Sequence, residues 1–325
     1  MLAPKVFRRK VPAQGTGENH LPGSVVLWHS LRFIWLYSSF CMRTIKQQHR
    51  AVNAPIDDLI TYRALPTQSV EHLDPFLFLN HHGPQQYAPN NRGLPFGPHP
   101  HRGFETVTFI LAGDIMHQDT GGHESIIGAG GIQWMTAGSG LIHAEVSSPA
   151  FKRTGGDLEI LQLWVNLPAK DKLTTPHYVG LQEPEVPTVT LDEGRVQIHA
   201  VSGEWAGTKG AIQPLADVQL ATVNLQAGRK LALTIPADHT IFFYTIRGTL
   251  RVNGQETEAR RLVEFNYDGD DLHLEALTDA VVLLGHAKPF GEPIVAYGPF
   301  VMNTPEEIEQ AYREYRAGKF GTWKG

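Results

Sequence analysis

Four residues in two short pairs could together bind a metal ion. His99 and His101 lie in the segment GPHPHRGFE, and His143 and Glu145 lie in GSGLIHAEV. In an extended strand, residues two apart point to the same face, so each pair presents two ligand atoms in one direction. Two such strands side by side would combine three imidazoles with one carboxylate, a set that suits first-row divalent metals. Four protein ligands on an octahedral ion leave about two positions for an exogenous ligand, which favours catalysis or sensing.

The sequence around each pair predicts the elements that would position it. Gly97 precedes the first pair, and the apolar run 107–111 follows it and ends at Gly113, which indicates a turn, a strand and a turn. The second pair follows the small-residue segment 137–140, whose glycines permit positive φ and a tight corner. An H-x-H pair alone arises easily in a chain with 16 histidines, so the interpretation depends on this context.

The chain resembles the pirin family of the cupin superfamily. The likeness lies in HPHRGFETVTFILAGDIMHQDTGGH, GGIQWMTAGSGLIHAEV, LQLWVNLP and the tail EPIVAYGPFVMNTPEEI, and it covers most of the chain from about Leu73. It implies an all-β fold of two tandem cupin-type β-barrel (jelly-roll) domains, with a C-terminal helix packing back on the N-terminal domain. It also implies that the iron-binding positions of pirins fall on His99, His101, His143 and Glu145, the four residues that strand spacing selects.

Glu105 is a second carboxylate close to the first histidine pair. Many cupins have their metal carboxylate at this position, whereas pirins use the carboxylate of the second motif. We therefore expect Glu105 to lie just outside the ligand set, with ligation of the metal as the alternative. Either Glu145 or Glu105 is available as a catalytic base.

Other side chains are candidates for the surroundings of the metal. His117 and His123 match the loop that follows the first metal strand in pirins, as rim residues or as exposed loop histidines. His81 and His82 lie near the metal or have a structural role in a loop. Four apolar residues are candidate walls of a substrate cavity or plain core residues: Phe104, Phe109, Met116 and Trp134.

Composition limits the functional classes. The 325 residues suffice for about two domains, and 32 glycines with 22 prolines are typical of a turn-rich β protein. Cys41 is the only cysteine, which excludes an intrachain disulfide and a Cys-based zinc site and favours a cytoplasmic location, or a nuclear one in a eukaryote. The net charge of −5, with scattered basic residues, argues against direct nucleic-acid binding. We expect a monomer without membrane contact.

The chain is predicted to have four segments. Residues 1–41 are interpreted as a non-native or disordered leader, because RTIKQQHRAV after Met42 looks like a pirin amino terminus. A signal peptide is the alternative, but the apolar stretch 25–40 lacks a prompt cleavage site and is too short and too polar to span a membrane. The remaining segments are an N-terminal metal-binding cupin domain (42–184), a degenerate C-terminal cupin domain (185–290) and a tail with a helix (291–325).

The second domain repeats the pattern of the first without its ligands. Strands are predicted at 219–225, 230–235, 240–246 and 249–252, with Asn253 and Gly254 as a type I′ hairpin turn. His239 stands alone there, without an H-x-H partner, so we expect this copy to have lost its metal. The helix of the tail is predicted from a capping box of Thr304 and Glu307, and Gly318 ends it.

Two functions are consistent with this sequence. The resemblance implies a flavonol (quercetin) 2,3-dioxygenase that uses O₂, with Fe(II) as cofactor and Mn, Co, Ni, Cu or Zn as alternatives. The other function is a non-enzymatic, iron-dependent redox-sensing regulator, which would bind a protein partner rather than a small aromatic substrate. Both functions use the same metal site, so the sequence does not separate them.

Overall fold

The computed structural model describes residues 41–324. The proposed leader lies outside these residues, apart from Cys41. The strands of the first half are β1 (Ile45–Arg50), β2 (Val52–Asn53), β3 (Thr61–Leu65), β4 (Phe76–Tyr87), β5 (Phe96–His101), β6 (Phe104–Ala112), β7 (Asp114–Asp119), β8 (Glu124–Gly128), β9 (Ile132–Thr136), β10 (Leu141–Val146), β11 (Gly156–Asn166) and β12 (His177–Leu181), with the short helix α1 (Pro149–Thr154) before β11.

The second half continues in the same style. Its strands are β13 (Thr188–Leu191), β14 (Val196–Ser202), β15 (Glu204–Trp205), β16 (Thr208–Lys209), β17 (Val218–Leu225), β18 (Lys230–Thr234), β19 (Thr240–Arg247), β20 (Thr249–Val252), β21 (Gln255–Glu258), β22 (Arg261–Phe265), β23 (Asp271–Ala276), β24 (Ala280–Ala287), β25 (Val295–Tyr297) and β26 (Phe300–Met302), and the helix α2 (Pro305–Arg316) follows. Among the described residues, no helix has the length and apolar character needed to cross a membrane.

The strands form two barrels, each made of a seven-stranded and a four-stranded sheet. In the first barrel, the large sheet has the order β12-β9-β6-β11-β4-β3-β2 and the small sheet β5-β10-β7-β8. In the second, the large sheet has the order β1-β22-β19-β24-β17-β14-β13 and the small sheet β18-β23-β20-β21. All paired strands of these sheets run antiparallel. The predicted all-β architecture of two tandem cupin-type barrels is therefore confirmed.

The two large sheets share a hydrophobic core. Val107 and Phe109 of β6 belong to the same buried cluster as Phe242 and Leu283 of the second half, and the rings of Phe76 and Phe242 lie 5.0 Å apart. Since successive side chains of a strand point to opposite faces, the alternate residues Thr106, Thr108 and Ile110 face the interior of the first barrel. Strand β6 is buried on both faces for this reason.

Each end of the described chain packs on the barrel that is distant from it in sequence. Strand β1 pairs with β22 in the large sheet of the second barrel, although residues 42–184 are predicted to form the first domain. This pairing gives β22 a partner on its open edge, so an exposed row of backbone groups is avoided. At the other end, the C-terminal segment packs back on the first barrel as predicted. Arg102 forms an isolated parallel β-bridge with Phe300, and its Nη2 lies 2.6 Å from Oε2 of Glu314 in the helix α2.

Two predictions of local structure are also confirmed, a hairpin turn and a helix cap. Asn253 and Gly254 have φ values of 45° and 85° between β20 and β21, as a type I′ turn requires. The helix α2 has its capping box at Thr304 and Glu307, and Gly318 follows it with a φ of 76°. These elements depend on short-range sequence signals.

Candidate metal centre

Two paired strands bring the histidines together. Strands β5 and β10 run antiparallel with His99 opposite His143, and His101 opposite Leu141. The spacing of two residues places His99 and His101 on one face of β5, toward His143. A register shift between His143 and Glu145 places Glu145 opposite Phe96. The two-residue spacing in the sequence therefore places the histidines together on the inner face of the small sheet.

The three imidazoles form a cluster with the geometry of a metal site. Each offers one ring nitrogen, and the ligand atoms of His99, His101 and His143 lie within 4.8 Å of one another. The Nε2 atoms of His99 and His143 are 3.0 Å apart. Two nitrogens bound at a right angle to one ion, each at about 2.1 Å, would be about 3.0 Å apart. Among the described residues, these histidines form the one group of three or more potential ligands whose atoms lie this close together. Their spacing fits a divalent metal.

Backbone carbonyls orient two of the rings. Nδ1 of His99 lies 2.7 Å from the oxygen of Gly97, and Nδ1 of His101 lies 3.2 Å from the oxygen of Pro299. A carbonyl only accepts, so each Nδ1 carries the proton and donates it. In the neutral form of each ring, Nε2 is then left without a proton and can bind a metal, which is the usual role of such outer contacts in metal sites.

Burial keeps the inner histidines neutral. It is the main reason that the pKa of His101 is lowered to about 3, and the neighbouring His99 acts in the same direction. Burial likewise holds the pKa of His143 well below its ordinary value, and the three histidines around it add to this effect. Neutral imidazole is the form that binds a metal, so these two rings do not have to lose protons before they bind one.

Glu145 lies beside the cluster rather than within it. Its Oε2 is 3.9 Å from Nε2 of His143, and it is not among the atoms that lie within 4.8 Å of one another. Its two oxygens accept hydrogen bonds from Thr108, at 3.0 Å, and from the side-chain amide of Gln162. Both donors lie in the large sheet, so they hold the carboxylate between that sheet and the histidines.

Glu105 does not reach this site. In the pairing of β6 with β9, Glu105 stands opposite Thr136 and Val107 opposite Trp134, and paired residues share a face. Val107 belongs to the core between the two large sheets, so Glu105 also points away from the histidines. Its Oε1 accepts a hydrogen bond from Thr136 at 2.6 Å. Both suggested roles of Glu105, as ligand and as base, therefore lack support in the structure.

The four candidate wall residues do not all lie on the side of the sheet that faces the histidines. Phe109 and Trp134 belong to the core between the large sheets, and Met116 alternates with the inward-facing Ile115 and His117. Phe104 is the wall residue that lies at the site, with its ring centroid 5.0 Å from that of His101.

The other candidate histidines have different surroundings. His117 is buried with its ring centroid 5.4 Å from that of His143, stacks on Tyr178 at 4.0 Å and pairs with Asp119. His123 is exposed and also pairs with Asp119. His82 is buried against Phe96 and bonded to Thr61. His81 points the other way, to Tyr244 and Glu159 between the two halves of the chain.

Sequence reasoning missed two residues of the site. Gln162 holds Glu145, and the ring of Trp164 lies 5.3 Å from that of His101. Both occur in LQLWVNLP, where they alternate with the core residues Leu161 and Leu163. This alternation was the available signal, since it places the two side chains together on the face opposite the hydrophobic core.

The chain is similar to known proteins over most of its length. The sequence matches the family described as Pirin over residues 58–165 and the family described as Pirin C-terminal cupin domain over residues 220–321. A protein of Pseudomonas aeruginosa named "Putative quercetin 2,3-dioxygenase" is 38% identical over 266 residues, which cover 82% of this chain and 92% of that protein. The protein named "Pirin" of Mus musculus is 36% identical over 277 residues, which cover 81% and 90%.

The fold is also similar to solved structures. The crystal structure of a quercetin 2,3-dioxygenase from Acinetobacter baumannii superimposes with a TM-score of 0.82 at 34% identity and covers 87% of this chain and 99% of that chain. The sequence and structural matches thus extend across both barrels.

Proposed function

The chain belongs to the pirin family, and we propose that it is a metal-dependent dioxygenase that opens the heterocycle of flavonols such as quercetin with O₂. The observation that supports this most is the convergence of three histidines on one point inside the first barrel, next to a buried carboxylate. The names of the relatives from Pseudomonas aeruginosa and Acinetobacter baumannii support the same substrate class.

His99, His101 and His143 would hold the metal through Nε2, and we propose Glu145 as the fourth ligand. Fe(II) is the ion that we propose, since imidazole with carboxylate suits it as well as other first-row divalent metals. A metal held there supplies Lewis acidity toward a ligated hydroxyl group and redox chemistry toward O₂. The remaining contribution belongs to the side chains, which position the substrate and move its proton.

Glu145 is the residue that we propose as proton acceptor. A flavonol must lose the proton of its 3-hydroxyl group to become electron-rich enough for attack on O₂. Thr108 and Gln162 each donate to one oxygen of Glu145, but a carboxylate has about four acceptor positions, so it retains capacity for a further proton donor. Phe104 and Trp164 form an aromatic wall beside His101, against which a flat ring can pack.

The alternative is a regulator that binds a protein partner, because the same three histidines would hold a redox-active iron without any need for a substrate. In that case the metal would act through its oxidation state on the surface that the partner contacts.

The decisive experiment measures oxygen consumption together with quercetin loss, using iron-loaded protein of known metal occupancy. The proposal predicts that both rates rise in proportion to protein-bound iron and exceed those of free iron in the same buffer. If fully loaded protein shows no turnover above free iron, the enzymatic proposal fails for flavonols and the regulatory one takes its place.

A further inference from the structure

Three side chains outside the candidate metal centre form a hydrogen-bonded chain. Ser69 lies in a tight turn between Thr67 and Val70, whose main chains bond to each other. Its hydroxyl oxygen lies 2.9 Å from Nδ1 of His49 in β1, and Nε2 of His49 lies 3.0 Å from Oε2 of Glu264 in β22. A hydroxyl, a base and a group that orients the base thus follow one another, which is the arrangement of an activated nucleophile.

The carboxylate determines which nitrogen of His49 carries the proton. Glu264 also accepts from Nζ of Lys46, at 2.7 Å. Burial acts to raise the pKa of Glu264, but the hydrogen bonds of Lys46 and His49 outweigh it and hold the pKa below its ordinary value, so the group is charged near neutral pH. A charged carboxylate only accepts, so Nε2 of the neutral ring carries the proton and Nδ1 is left as an acceptor. The hydroxyl of Ser69 therefore donates to Nδ1.

A second histidine shows what the carboxylate adds. Nδ1 of His199 lies 3.0 Å from the hydroxyl oxygen of Thr188, but its Nε2 faces the side-chain amide nitrogen of Asn224, at 3.0 Å. An amide nitrogen only donates, so Nε2 of the neutral ring is the acceptor and Nδ1 carries the proton. The neutral ring of His199 therefore donates to Thr188 and cannot take its proton. The two histidines have the same hydroxyl contact with opposite direction.

Burial and exposure in the chain suit a nucleophile that is open to solvent. The side chain of His49 is fully buried and that of Glu264 is 18% exposed, so the base is held in one orientation. Ser69 itself is exposed in its turn, and the hydroxyl of Thr67, 3.1 Å away, can donate to its oxygen. An exposed hydroxyl can equally bond to water, so the stability of the fold alone does not require Ser69 to contact a histidine.

We propose that Ser69 is a nucleophile toward activated acyl esters, with His49 as general base and Glu264 as positioning residue. Oγ of Ser69 attacks the acyl carbon, the bond from that carbon to the leaving oxygen breaks, and the hydroxyl proton passes to Nδ1 of His49 and then to the leaving oxygen or to solvent. Water, activated by the same nitrogen, hydrolyses the acyl-serine, which releases the carboxylic acid and restores the hydroxyl. The proposal does not depend on the proposed function, because no metal takes part.

The test treats the full, metal-loaded protein with p-nitrophenyl acetate and locates the acetyl groups by peptide mass spectrometry. We expect acetylation of Ser69 that is at least about tenfold slower in Glu264→Gln, because an amide can donate to Nε2 of His49 and reverse its tautomer, and general-base catalysis contributes about 10²–10⁴-fold. Release of p-nitrophenolate alone does not suffice, since a metal site can also hydrolyse the ester. Removal of the metal with a chelator should leave the acetylation of Ser69 unchanged.

Thr188→Ser is the matched control, because it places a serine against His199, where no carboxylate orients the ring. The serine introduced there should be acetylated at least about tenfold more slowly than Ser69. This comparison leaves the chain at Ser69 intact, so it decides the question even if Glu264→Gln does not fold, which a thermal melt shows.

Three outcomes would overturn the proposal. Absence of acetylated Ser69, or equal rates at Ser69 and at the serine introduced by Thr188→Ser, would show that the three side chains only connect β1, β22 and the turn. Equal rates in the wild type and a folded Glu264→Gln would show that the carboxylate does not activate the hydroxyl. Loss of acetylation on removal of the metal would assign the reaction to the metal site instead.

Discussion

Nδ1 of His101 donates to the main-chain oxygen of Pro299, 3.2 Å away and 198 residues further along the chain. The segment after the second barrel thus orients a candidate metal ligand of the first barrel. A buried ammonium strengthens the same junction: Nζ of Lys172 donates to the oxygens of Gly103, at 2.9 Å, and Val301, at 3.2 Å, and to Oδ1 of Asn166, at 2.6 Å. The C-terminal segment is therefore part of the candidate metal centre.

Replacing Lys172 with methionine should weaken both the fold and the metal site. The change keeps an apolar stem but leaves three buried oxygens without their donor, so we expect a loss of about 3 kcal/mol in the free energy of unfolding. Release of the segment that carries Pro299 should reduce metal affinity by about tenfold, as for other outer contacts of metal ligands. Chemical denaturation and a competition titration with a metal chelator measure the two effects.

The neighbouring lysine provides the control for this prediction. The side chain of Lys170 is 81% exposed, so Lys170→Met removes the same charge from the surface. It should leave unfolding free energy within about 0.5 kcal/mol of the wild type. Equal metal affinity in Lys172→Met and the wild type would show that the C-terminal segment does not support the site.

Replacing His101 with alanine should sharply reduce bound metal. The variant loses one of three imidazoles and opens the buried site to water, so we expect at least a tenfold fall in affinity. His239→Ala is the matched control in the second barrel. Among the residues that the structure describes, His239 contacts one other histidine, with its Nδ1 3.0 Å from Nδ1 of His286. Elemental analysis after purification measures the metal content, and equal content in the His101 variant and the wild type would refute the assignment.

The sequence predicts the strands, and the shared strand face of His99 and His101, well because both depend on short-range patterns. The spacing of His99 and His101 needs only the geometry of a strand, and the hairpin at Asn253 needs only two residues that tolerate positive φ. The position of Glu105 could not be predicted in this way. Strand β6 is buried on both faces, so its sequence lacks the clear alternation of polar and apolar residues that would reveal which side faces the histidines.

Long-range contacts account for the other differences. Strand β1 pairs with β22, more than 200 residues away in sequence, and no local pattern identifies that partner. The contact between His101 and Pro299 could not be predicted either, because a main-chain oxygen has the same chemistry at every position. Such partners are determined by the packing of the whole fold.

Replacing Glu145 with glutamine should reduce turnover of quercetin more than it reduces quercetin binding. The amide keeps the size of the side chain and can still accept from Thr108, but it cannot take up a proton in the reaction. We expect kcat to fall by about a hundredfold or more, in the range typical of lost general-base catalysis. Steady-state kinetics and equilibrium titration separate the two effects. A larger fall in Glu105→Gln than in Glu145→Gln would assign the base to Glu105 instead.

Acid should weaken the junction between the two barrels through Glu159. This buried carboxylate accepts from Nε2 of His81, at 2.9 Å, and pairs with the guanidinium of Arg247, while Nδ1 of His81 lies 3.0 Å from the hydroxyl of Tyr244. Burial acts to raise the pKa of Glu159, but the hydrogen bonds and charges of His81 and Arg247 outweigh it and hold the pKa below the ordinary 4.5. The charged form is thus favoured in the folded protein.

The sign of this linkage determines the expected pH profile. Because the folded pKa of Glu159 is depressed, its contribution to stability is fully present above the unfolded pKa of about 4.5 and is lost as the pH falls through the lower, folded value. Glu159→Gln should therefore lower the melting temperature most near neutral pH, and the difference from the wild type should shrink below about pH 4.5. Glu204→Gln, at an exposed position, should show no such convergence. A melting-temperature difference for Glu159→Gln that stays constant from neutral to acidic pH would mean that the carboxylate titrates alike in the folded and unfolded chains, and that the charge of Glu159 does not stabilise the junction.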